Sequence, residues 1–154
     1  MEPRIQYSKT TDGVSIAYYA LGEGPAVVYM PPLPFRHIQR QWELMPQDRQ
    51  IADLLAAQRR RFVQFDARGM GSSSRVESFD IDGFVADLEA VADALDLEQF
   101  DLAAVTYSTP IAIAYAARHP ERLSHLVLLS PFARGSEALD TPVGRALRAI
   151  RGQE

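Results

Sequence analysis

The chain alternates between short apolar runs and longer stretches in which apolar residues recur at helical spacing, the pattern of strands and helices taking turns on a mostly parallel sheet. Residues 5–10 alternate in polarity and predict a strand; Thr11-Asp12-Gly13 is a turn signal, and residues 14–21 predict a second strand, so the chain opens with a hairpin. After Gly22-Glu23-Gly24-Pro25 the apolar run 26–30 has the look of a strand covered on both faces. A proline-rich loop, Pro31-Pro32-Leu33-Pro34-Phe35, precedes a predicted helical turn at 42–45 and a helix over 48–58 with Ile51, Leu54 and Leu55 on one face. Residues 61–65 predict a strand and 66–74 a Gly/Ser loop.

The clearest helix starts after Asp80, a good N-cap. Ile81, Phe84, Leu88, Val91 and Leu95 mark its apolar face, with Asp82, Asp87, Glu89 and Asp93 elsewhere around it. A strand over 100–105, an alanine-rich helix over 110–118, a strand over 123–129 and a last helix over 141–150, opened by Thr141-Pro142, complete the pattern.

Composition fits one domain spanning residues 1–154: hydrophobic residues make up 47% and charged residues 23%. A net charge of −4, with Lys9 the only lysine and Arg59-Arg60-Arg61 the one basic run, argues against a nucleic-acid partner. The absence of cysteine excludes disulfides and thiolate metal sites. The polar start has no apolar leader and no run is long enough to span a bilayer, so the expectation is a soluble, cytoplasmic protein without a membrane partner. No metal-ligand spacing, P-loop or dinucleotide fingerprint occurs, and no cofactor is expected.

The loop Phe65-Asp66-Ala67-Arg68-Gly69-Met70-Gly71-Ser72-Ser73 resembles the D-x-R-G-x-G-x-S loop of α/β-hydrolases of the esterase and epoxide-hydrolase type, and residues 111–128 resemble the helix and strand after that family's nucleophile elbow. The resemblance implies a truncated α/β-hydrolase fold: a mostly parallel sheet of about six strands, an N-terminal antiparallel hairpin and helices on both faces. It implies an esterase-like hydrolase with an incomplete triad. In the family the Asp66 loop shapes the site, with Gly69 and Gly71 allowing positive φ and Asp66 and Arg68 bracing the turn. The segment through Ile16-Ala17-Tyr18 and residues 30–38 also resembles hydrolase-like domains attached to nucleotide cyclases and helix-turn-helix regulators, in which catalytic residues are often absent. The alternative is therefore a non-catalytic ligand-binding or regulatory domain.

Alignment on that helix puts the elbow at Ala104-Val105-Thr106-Tyr107-Ser108, with Thr106 at the nucleophile position and Ser108 the nearest substitute. A β-branched residue makes a positive-φ turn expensive, so the elbow is expected to have relaxed, its nucleophile lost. The family's His-Gly pair is replaced by Pro31-Pro32, which leaves the N–H groups of Leu33 and Tyr107 as oxyanion donors and Phe35 and Trp42 as walls of an apolar pocket. His37, after the proline loop, is the candidate base; His119 and His125 read as structural. The strand over 123–129 would end the sheet as an uncovered apolar edge, which predicts a homodimer through that edge or by exchange of the helix over 141–150, and a small apolar ligand or ester in the pocket.

Overall fold

Strand β3 (Ala26–Met30) is the pivot of the molecule. In the computed structural model, which describes residues 3–30 and 37–134, it pairs in parallel on both sides, with β4 (Arg61–Phe65) and with β5 (Phe100–Val105). That double pairing explains why its sequence is a continuous apolar run. β2 (Ser15–Leu21) lies antiparallel along the other side of β4 and carries β1 (Gln6–Lys9) as its hairpin partner. β6 (Leu123–Leu129) runs parallel to β5, giving the order β1-β2-β4-β3-β5-β6.

Two apolar layers follow from strand alternation. On β2, Ile16 and Tyr18 face the larger layer, built with Val28, Val63 and Leu102 against α3 (Ile81–Ala94) and α4 (Thr109–Arg118). Ala17, Tyr19 and Leu21 face the smaller one, with Phe62, under α1 (Ile38–Leu44) and α2 (Pro46–Ala57). The six-strand sheet, the opening hairpin and helices on both faces are those expected from the sequence.

Individual helix faces differ from the expectation. In α2 the inward residues are Ala52, Ile51 and Leu55, while Leu54 is exposed. In α3, Ile81 is exposed and Val85 is buried in its place. The helical turn expected at 42–45 is the end of α1, which begins at Ile38. The helix expected over 141–150 lies outside the described residues.

β6 has no partner on its outer side among the described residues, and Leu126, Val127 and Leu129 are 38%, 50% and 51% exposed. Parallel strands are ordinarily covered on both faces; this one is not. No helix among the described residues is long and apolar enough to cross a membrane.

Candidate active site

Two corners, each at the carboxyl end of a parallel strand, shape one rim of the sheet. Where β4 ends, Asp66 is fully buried. Its Oδ1 accepts from the Ile38 N–H at 2.9 Å and its Oδ2 from the Ser72 N–H at 2.8 Å. Its own N–H donates to the Ala17 carbonyl. The carboxylate thus ties the start of α1 to the glycine loop through charge-assisted bonds. Gly71, at φ +46°, has to be glycine: a Cβ there would stand 2.0 Å from Asp66 Oδ2.

Arg68 turns the other way. Its N–H and Nε donate to Asp87 Oδ2 and Oδ1 at 2.7 and 2.9 Å, and its Nη1 and Nη2 donate to Asp12 at 2.9 and 3.2 Å. Burial pushes the Asp87 carboxyl up to about 6, against the pull of the Arg68 bonds. Hydrogen bonds from Arg68 and then Thr10 hold Asp12 below its ordinary value. Gly83 of α3 leaves room for the guanidinium, since a Cβ there would lie 2.5 Å from Arg68 Nη1. Asp66 and Arg68 brace the loop as expected, with separate partners. Asp87 corrects the sequence reading: it is fully buried, not on the polar side of α3. The signal was its spacing, three residues after Phe84 and four before Val91.

Where β5 ends, the chain makes a sharp turn. Thr106 has φ +48°, in the left-handed region that β-branched residues avoid. A 3-10 turn, Thr106–Ser108, leads directly into α4. The elbow has not relaxed, contrary to expectation, and the reason is the bonding around it. Ser108 is fully buried; its Oγ accepts from the Val105 N–H at 3.0 Å and sits 2.8 and 2.9 Å from the Met30 and Val105 carbonyls to which its hydroxyl donates. Thr109 Oγ1 donates to the Thr106 carbonyl at 2.6 Å. Ser108 is therefore a clip between the ends of β5 and β3, and Thr106 is the hydroxyl presented at the turn. The Thr106 hydroxyl takes no hydrogen bond among the described residues.

The remaining candidates separate. Tyr107 is exposed at the turn, its ring edge-on to Phe132. His37 caps the start of α1 in extended backbone, and its Nδ1 is buried with no hydrogen-bond partner; it makes no bond to Thr106. Trp42, a candidate pocket wall, packs edge-on against Tyr19 at 5.9 Å, in the layer under α1 and α2. Leu33 and Phe35 lie outside the described residues. His119 pairs with Glu89 (2.6 Å) and stacks near Tyr115, and His125 pairs with Asp101 (2.8 Å) at the amino end of β5, the far end of that strand from Thr106.

A family model described as the alpha/beta hydrolase fold matches residues 42–149. This chain belongs to the α/β-hydrolase fold family. Among its relatives in that family, a 2-hydroxymuconate semialdehyde hydrolase of Pseudomonas sp. strain CF600 is 37% identical over 98 residues, 62% of this chain and 33% of the relative. The AB hydrolase superfamily protein YisY of Bacillus subtilis strain 168 is 31% identical over 129 residues, 82% of this chain and 45% of the relative. Among solved α/β-hydrolase structures, the epoxide hydrolase VrEH1 from Vigna radiata superposes with a TM-score of 0.73 at 25% identity, covering 99% of this chain and 46% of that one. The chain spans between a third and just under half the length of these relatives.

Proposed function

We propose that the chain carries the nucleophile corner of an esterase-like α/β-hydrolase, with Thr106 in the nucleophile's place. The observation that carries this reading is the retained left-handed backbone at Thr106, a strained conformation on a β-branched residue between β5 and α4. Strain of this kind costs about 1–3 kcal/mol and persists only where surrounding structure enforces it. Here Ser108 and Thr109 enforce it. The hydrolase names of the relatives support the reaction class.

In this reading the Thr106 oxygen adds to an ester carbonyl, its proton ends on the departing alkoxide, and water then releases the acyl group. The Tyr107 N–H, directly after the nucleophile, is the donor offered to the oxyanion. His119 at the C-terminal end of α4 and His125 beside Asp101 near the amino end of β5 both lie away from the turn at Thr106, which speaks against either as its base.

An active-site-directed fluorophosphonate tests the assignment. The expected result is a single adduct on Thr106 that disappears in Thr106→Ala, with slow turnover of short-chain aryl esters. No adduct and no turnover would overturn it and leave the non-catalytic ligand-binding reading.

A further inference from the structure

Beside Thr106 stands a pair of aromatic rings that neither the core nor the nucleophile assignment uses. Tyr107 is 47% exposed, although burying an aromatic ring is among the most favourable things a side chain can do. It is nevertheless held in place: its ring meets Phe132 edge-on, centroids 5.6 Å apart and planes at 77°. Phe132 follows β6, and its N–H donates to Thr109 Oγ1 at 3.3 Å. The same Thr109 hydroxyl donates to the Thr106 carbonyl. One side chain therefore indexes the aromatic pair to the turn that presents the Thr106 oxygen.

We infer that Tyr107 and Phe132 form a specificity wall that selects esters with a flat aryl group next to the scissile carbonyl; the inference rests on the reading of Thr106 as nucleophile. An edge-to-face pair with one ring exposed leaves aromatic surface free for a third ring, whose face or edge can continue the same packing. Methyl or ethyl groups present no such surface and gain only their small apolar area. The wall lies at the carboxyl ends of β5 and β6, where ligands of open parallel sheets bind.

The test compares Thr106 labelling of the full chain by two fluorophosphonates differing only in a phenyl or an ethyl group. Each ring contact is worth roughly a two- to tenfold preference, so about a fivefold faster reaction with the phenyl probe is expected. Phe132→Ala and, separately, Tyr107→Leu should bring the ratio close to one. Equal rates in the parent, or a preference that survives both substitutions, would overturn the wall. Labelling by neither probe sinks the Thr106 assignment instead. The wall is then decided by nuclear magnetic resonance: phenyl acetate should shift the ring signals of Tyr107 and Phe132 where ethyl acetate does not, and the lack of any such difference overturns it.

Discussion

The corner at Asp66 and the corner at Thr106 both end parallel strands on the same rim, yet they are built on opposite terms. Around Asp66 every charged group is answered: two N–H groups converge on its carboxylate, and Arg68 divides its donors between Asp87 and Asp12. Around Thr106 the clips satisfy one another, and they hold a threonine in a backbone it disfavours with its hydroxyl unengaged among the described residues. Saturated polar groups rigidify a fold; in the proposed reading the enforced strain at Thr106 serves the reaction. The first corner is a frame and the second is what it frames.

Substitutions at four positions press on that contrast. Asp66→Ala should have the largest effect, a loss of about 3–5 kcal/mol read by urea unfolding, because the Ile38 and Ser72 N–H groups lose their acceptor together. An Asp66→Ala chain as stable as the parent would mean the frame is ornamental.

Asp87 should make stability depend on acidity. Its carboxyl stands at about 6 in the folded chain against an ordinary 3.8 in the unfolded one, so between these limits the folded chain holds a proton that the unfolded chain has released. Stability from this group is present at the acid end and falls as pH rises through about 6, by up to ~3 kcal/mol. Asp12, held low, acts in the opposite direction only below 3.8. Asp87→Asn should flatten the slope between pH 4 and pH 6 in parallel unfolding titrations; an unchanged slope would show that Asp87 is not its source.

Gly71→Ala should cost about 2–3 kcal/mol, since its Cβ would drive into the Asp66 carboxylate from a left-handed residue. A calorimetric melting point within a degree or so of the parent would show that the loop has room to give. The smallest effect carries the opposite sign. Thr106→Gly should stabilise by about 0.5 kcal/mol, because relief of the left-handed penalty exceeds the freedom that glycine adds to the unfolded chain. Thr106→Ala keeps the conformation and should bring no gain. Destabilisation by Thr106→Gly would place Thr106 among the framing residues.

The sheet was legible because strand and helix periodicities differ so plainly: Ala26–Met30 and Phe100–Val105 read as buried parallel strands and pair as such. The glycine loop was legible because its shape demands glycine at particular positions. What was hidden in each case is a matter of partners. Asp87 looked solvated because an acid in a helix usually is, and nothing local announces a guanidinium arriving from 19 residues earlier. Trp42 follows the proline loop, and nothing local shows that its ring packs on Tyr19 in the layer under α1 and α2. The persistence of the turn at Thr106 was hidden for the same reason: local preference argues against it, and the Ser108 bond to Met30, spanning 78 residues, overrides that preference.

β6 carries no lysine, arginine, aspartate or glutamate along its seven positions, and on its outer side its amides and carbonyls meet nothing among the described residues. A bare, greasy ladder of this kind is a seed for stacking: any extended polypeptide of similar alternation can zip onto it, and so can another molecule of the same protein. One lysine in place of Val127 is the smallest change that breaks such a template.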